Sequence, residues 1–200
     1  MLFRSNNSFA KLPKETSDAI LDKFGINSNV PFIFHVGSSH ERKNRQLLLN
    51  LLNTIKNEWD GIIVFAGENL NEELIQLVEK YGLQKRIIDV GKITHEELVA
   101  FYSSCFVFIF PSFSEGFGWP IIEAQACEAP VITVNYAPMN EVAGEAALSA
   151  NPNEVSDFKL AFDRLKDEKL RTQLIQKGKQ NIERYRLDVV TKAYIQFINS

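Results

Sequence analysis

The stretch Val30-Pro31-Phe32-Ile33-Phe34-His35-Val36-Gly37 is a short apolar run that ends in glycine, and Gly61-Ile62-Ile63-Val64-Phe65-Ala66-Gly67 repeats it. Unbroken apolar runs of this length fit strands buried on both faces, whereas a strand with one wet face alternates apolar and polar residues. Ile87-Ile88-Asp89-Val90-Gly91 is a third example. Between them Gln46 to Trp59 and Asn71 to Tyr81 carry helical patterns, the second closed by Gly82. Further on, Thr94-His95-Glu96-Glu97 has the form of a capping box and predicts a helix to about Ser103. Cys105 to Phe110 reads as a fourth strand, a helix starts near Pro120, Pro130 to Val134 is a fifth strand, and Ala146 to Ser149 a sixth. The flanks are helical: Lys14 to Phe24 before Gly25, then Asn153 to Leu165, Glu168 to Lys177 stopped by Gly178, and Asp188 to Ile198.

Strands alternating with helices, joined by right-handed crossovers, give an α/β fold: a doubly wound, Rossmann-like parallel sheet of about six strands in the order 3-2-1-4-5-6, with helices on both faces and a helical C-terminal tail. The expected division is a linker and opening helix over residues 1–29, the sheet domain over 30–180 and a C-terminal helix over 181–200. Such sheets bind ligands at the carboxyl ends of the strands where the order reverses, here between the first and fourth strands. The loops after those two strands are therefore where chemistry is expected.

The 200 residues are 45% hydrophobic and 24% charged, which excludes a disordered or collagen-like chain. A net charge of −3 and a pI near 5.7 supply no global positive field for nucleic acid, so any anion site has to be local. Two cysteines in apolar surroundings, Cys105 and Cys127, suit a reducing cytoplasm better than a disulfide framework. The longest apolar run, Cys105 to Phe110, is far short of the roughly 20 residues of a membrane-spanning helix. Met1 to Lys11 lacks the pattern of a signal peptide, and the sequon Asn6-Asn7-Ser8 carries no meaning in a cytoplasmic chain.

The loop after the first strand, Gly37-Ser38-Ser39-His40-Glu41-Arg42-Lys43-Asn44-Arg45, holds three basic residues in four positions. Arginine offers a fork of donors and lysine a movable charge, a pair suited to a diphosphate. Basic residues at a helix start also oppose the macrodipole, which favours a functional reading over a solvated turn. After the fourth strand, Ser114-Glu115-Gly116-Phe117-Gly118-Trp119-Pro120 leads into a helix whose free amides make an anion site worth about half a positive charge. Gly116 and Gly118 allow close approach of the backbone to a ligand. The Gly-Lys-Ser/Thr ending of a Walker loop is absent, and the glycines do not follow the first strand as a dinucleotide fingerprint would. Glu115 and Glu123 fit acceptors for sugar and ribose hydroxyls, although exposed carboxylates are the commoner fate of glutamate. No spacing of His35, His40 or His95 suggests a metal site. His35 fits a packed core residue and His95 a capping segment, while His40 lies within reach of a phosphate.

Glu115-Gly116-Phe117-Gly118, then a proline, then Glu123 eight positions after Glu115, resembles the motif of the retaining glycosyltransferases of family 4. Val36-Gly37 with Arg42-Lys43-Asn44, Phe65-Ala66-Gly67, Val90-Gly91, Cys127-Glu128-Ala129-Pro130-Val131-Ile132 and Asn140-Glu141-Val142 follow in family order. The resemblance implies the C-terminal, donor-binding half of a GT-B enzyme, inactive alone, whose acceptor-binding N-terminal half lies outside this chain. The C-terminal helix would then pack on either half. It implies a UDP- or GDP-sugar donor, a glycan or lipid-linked acceptor, polysaccharide biosynthesis, and peripheral membrane contact only through the other half. Arg42 and Lys43 would neutralise the diphosphate, Glu115 would hold the donor sugar at the catalytic centre with Gly116, Phe117 and Gly118 around it, and Glu123 would bind the ribose. Transfer would be metal-independent, with no cofactor and no covalent nucleophile. Gly37, Lys92 and Glu141 are further candidates, Lys92 beside the base or solvated and Glu141 at the site or merely starting a helix. The family's arginine after the first-strand glycine is Ser38 here, and the glycine common before the fifth-strand proline is Ala129, a small change that leaves the strand assignment standing. A GT-B-like nucleotide-sugar epimerase or hydrolase, and a scaffold that keeps the fold without catalysis, are the alternatives.

Overall fold

The computed structural model describes residues 9–198, so Asn6-Asn7-Ser8 and the start of the N-terminal segment lie outside the described residues. In chain order the elements are α1 (Lys14–Asp22), β1 (Phe32–Gly37), α2 (Arg45–Ile55), β2 (Ile62–Gly67), α3 (Glu72–Tyr81), β3 (Ile87–Asp89), α4 (His95–Ser104), β4 (Val107–Phe110), α5 (Trp119–Ala126), β5 (Val131–Val134), α6 (Met139–Ala143), β6 (Ala147–Ala150), α7 (Val155–Arg164), α8 (Glu168–Ile182) and α9 (Leu187–Ile198). The strands form one all-parallel sheet in the expected order β3-β2-β1-β4-β5-β6.

The unbroken apolar runs are explained by what covers them. Every residue of β4 and β5 is buried, because α2, α3 and α7 pack together on one face while α1, α4, α5 and α8 cover the other. Phe34, on β1, is paired in register with Phe108 of β4 and lies 5.2 Å from both the Phe101 and Tyr102 rings of α4. Helix α4 is held at that height by the predicted capping box: Thr94 Oγ1 accepts from the Glu97 amide at 3.3 Å, and Glu97 Oε2 accepts from the Thr94 amide at 2.7 Å.

Two local expectations give way to tertiary contacts. Helix α2 ends at Ile55 rather than Trp59, and Trp59 turns in to meet the Phe162 ring at 5.1 Å. Gly178 does not stop α8, which continues to Ile182; it faces α5, where a Cβ would stand 3.4 Å from Gln125 Cβ. Before β5 the chain turns through Glu128, in the left-handed region at φ 62°. Glu128 is kept there with ion pairs to Lys179 at 2.8 Å and Lys11 at 3.5 Å.

One turn beyond Gly178, Asn181 is buried and locks the end of α8 onto α5 and α6. It donates to Gln125 Oε1 and to the Val142 carbonyl, both at 2.8 Å, and accepts from Arg184 at 2.8 Å. Replacing it with leucine leaves the buried Gln125 Oε1 without its donor and the Val142 carbonyl with only the Tyr185 hydroxyl at 3.3 Å, while Arg184 is exposed and turns to solvent. Asn181→Leu is expected to lower stability by about 1–3 kcal/mol in urea unfolding, with the slope against denaturant unchanged.

Candidate functional site

β1 and β4 are neighbours whose carboxyl ends lie side by side, and the loops that follow them leave the sheet at the same edge. The first loop makes a single 3-10 turn, Glu41–Lys43, and leaves it through Asn44 in the left-handed region at φ 52°. Asn44 tolerates that conformation because its side-chain amide donates to Pro111 and Pro152 carbonyls at 3.2 and 2.9 Å. The two loops are also joined by the Phe113 amide, which donates to the Arg42 carbonyl at 2.8 Å. Tyr136 clamps the second loop from below, its hydroxyl donating to the Phe113 carbonyl at 2.6 Å.

This frame brings Arg42, Lys43 and Glu115 together. The Lys43 stem crosses the end of β1 over Gly37, where a Cβ would stand 3.3 Å from Lys43 Cδ and Cε. Its ammonium lies 5.0 Å from the centre of the Phe110 ring and 2.6 Å from Glu115 Oε1. Arg42 reaches the same oxygen at 3.0 Å and the Ser114 carbonyl at 3.2 Å. The side chains of Lys43 and Glu115 are 10% and 13% exposed while that of Arg42 is 46% exposed, so one cation is built in and the other faces solvent. Burial raises the Glu115 carboxyl pKa, and the Lys43 ammonium, the nearby Ser112 hydroxyl and Arg42 more than reverse this, holding it below the usual carboxylate range. Ser112 Oγ is buried against that carboxylate without a hydrogen bond of ordinary geometry.

The third basic residue of the loop has a different role. Arg45 is buried and donates to the carbonyls of Glu68 at 2.6 Å, Gly37 at 2.7 Å and Ala66 at 2.9 Å, tying the carboxyl ends of β1 and β2. Burial lowers its pKa, and Asp89 and Glu68 oppose that. On the other loop, Gly118 has φ 103° and opens α5, with Pro120 in the first turn, so glycine is required by the backbone. Gly116 is exposed, and a Cβ there would have open space around it; the fold itself does not require that glycine. Phe117 packs on Trp119 at 4.6 Å and Tyr185 at 5.8 Å.

Glu123 lies one turn into α5, half-buried, and accepts from the Tyr102 hydroxyl at 3.2 Å. Tyr102 gave no signal in the sequence, because its partner is on another helix. His40 is exposed and lines a groove of about 520 Å³ with Ser39, Asn71 and three glutamates, Glu41, Glu72 and Glu73. That groove is too acidic for a phosphate. Lys92 is exposed in the loop after β3, and Glu141 is exposed in the first turn of α6. Among the described residues no group of three His, Cys, Asp or Glu is arranged around a possible metal position.

His35 is the core residue its strand position suggests. Its Nδ1 lies 3.0 Å from the Ile109 carbonyl, which can only accept, so the proton is on Nδ1. Burial, then Arg45, push its pKa down to about 3. An unfolded His35 takes up a proton below pH 6.5 while the folded one stays neutral to about 3, so this contribution to stability is full above 6.5 and is lost as pH falls. Between those values the loss approaches about 1.4 kcal/mol per pH unit. His35→Phe is expected to flatten that part of the pH–stability curve, measured by urea unfolding at a series of pH values.

The family model for glycosyl transferases group 1 matches residues 16–181. The chain is 30% identical over 157 residues to the serotype-specific mannosyltransferase WbdA of Escherichia coli, an alignment that covers 75% of this chain and 19% of that protein. Among solved structures, Anabaena Alr3699/HepE in complex with UDP and glucose superposes with a TM-score of 0.81 at 20% identity, over 98% of this chain and 55% of that one. The C-terminal domain of the group 1 glycosyl transferase LpcC from Francisella tularensis superposes with a TM-score of 0.75 at 23% identity, over 92% of this chain and 98% of that one. The chain thus spans about a fifth of the length of WbdA and about half of HepE. With its Rossmann-like sheet and the match over most of its length, the chain belongs to the group 1 glycosyl transferase family.

Proposed function

We propose that the chain is the donor-binding half of a retaining, metal-independent hexosyltransferase of family 4 that uses a UDP- or GDP-sugar in polysaccharide biosynthesis. The convergence of Arg42, Lys43 and Glu115 at the switch point of the sheet carries this reading. Two cations and the free amides at the start of α5 suit a diphosphate, and the carboxylates of Glu115 and Glu123 suit hexose and ribose hydroxyls. Tyr102 is then the residue that orients Glu123. Gly116 adds a separate argument: the fold leaves room for a side chain there, so a ligand lying against the backbone accounts for its absence.

In the proposed reaction the bond between the anomeric carbon and the diphosphate oxygen breaks. A bond to the acceptor oxygen forms on the same face, and the acceptor proton passes to a donor phosphate oxygen. The acceptor, a glycan or lipid-linked sugar, is held by a domain outside this chain, so the chain alone binds donor and transfers little sugar. UDP in the HepE complex and mannosyl transfer in the name of WbdA support a nucleotide-sugar donor. The protein works at the cytoplasmic side, where nucleotide sugars are available; among the described residues no helix is long and apolar enough to cross a membrane.

Gly116→Ala separates a ligand-binding role from a structural one. Thermal unfolding is expected to show stability unchanged or raised by up to about 1 kcal/mol, since alanine lowers the entropy of the unfolded chain. Calorimetric titration with UDP-glucose and GDP-mannose is expected to show the better of the two bound at least several-fold more weakly than by the unmodified chain. Equal binding by the variant contradicts the proposed site.

A further inference from the structure

Both cations of the site converge on one atom. Lys43 Nζ and Arg42 lie 2.6 and 3.0 Å from the same oxygen, Oε1 of Glu115. The Lys43 ammonium also lies over the Phe110 ring at 5.0 Å, and the Lys43 and Glu115 side chains are nearly buried. A nucleoside diphosphate, with a charge of roughly −2 or more, therefore enters a site whose two positive charges already serve a carboxylate. Glu115 does not escape by protonation near neutral pH, because its pKa is held low.

A carboxylate and a diphosphate both only accept hydrogen bonds, so side by side they repel unless one of them gains donors. An intact nucleotide sugar brings such donors, its hexose hydroxyls, to the carboxylate, while the diphosphate takes the cations. A nucleoside diphosphate without its sugar brings none. We propose that Glu115 is a release element: it accepts from the hydroxyls of the donor sugar, and once the sugar is gone it competes with the nucleoside diphosphate for Arg42 and Lys43. The site then holds the donor more tightly than the spent nucleotide. This inference rests on the donor-site reading and adds to it a direction, from tight donor to loose product, that an attractive cluster of cations alone would not give.

The test is calorimetric titration of the unmodified chain, Glu115→Gln and Glu115→Ala with UDP, GDP, UDP-glucose and GDP-mannose. The unmodified chain is expected to bind a nucleotide sugar more tightly than the matching nucleoside diphosphate. Both variants are expected to bind that nucleoside diphosphate about tenfold more tightly than the unmodified chain, and the gap between the two ligands closes. Variants that bind the nucleoside diphosphate no more tightly overturn the inference, as does an unmodified chain that prefers the nucleoside diphosphate, a result that needs no substitution to fold. If the unmodified chain binds none of the four ligands, the donor-site reading itself fails and the inference falls with it.

Discussion

The Lys43 stem reaches across the end of β1 over Gly37, where a Cβ would press on Cδ and Cε at 3.3 Å. The rest of the site is arranged around that crossing. Arg45 donates to the Gly37 and Ala66 carbonyls and so ties the end of β1 to that of β2 beside the lysine. Asn44, in the left-handed region, turns the chain between the two and is fixed by carbonyls from the β4 and β6 loops. Three consecutive residues thus face three ways: Lys43 to the site, Asn44 into the protein, Arg45 into the sheet edge.

That arrangement explains why a short basic segment does two jobs. A buried guanidinium is tolerated where carbonyl oxygens surround it, and the carboxyl ends of parallel strands provide them. An ammonium beside a carboxylate in a half-buried pocket is instead a charge that a ligand can redirect. The polar lock at Asn181 plays a comparable structural part on the far side of α5, holding the helix that bears Glu123 against α6 and α8.

The fold was legible because each strand of a parallel sheet is buried on both faces and so appears as an unbroken apolar run. Arg42, Lys43 and Glu115 were legible too, as charges concentrated in the two loops the topology singles out. Arg45 was not separable from them, since the carbonyls that bind it belong partly to β2, and local charge counting treats all three basic residues alike. Tyr102 and Tyr136 escaped for the same reason: each acts through its hydroxyl on an element more than twenty positions away in the chain. Gly178 reads as a helix end from local propensity, yet it lies inside α8 because that helix packs on α5 beyond it.

A crystal structure of the chain grown with a nucleotide sugar decides whether the Arg42–Lys43–Glu115 cluster holds the donor. The diphosphate is expected between the loops after β1 and β4, within hydrogen-bond reach of Arg42 and the start of α5, with Glu115 turned to the sugar. A nucleotide bound elsewhere, with the Arg42–Lys43–Glu115 cluster undisturbed, would contradict it.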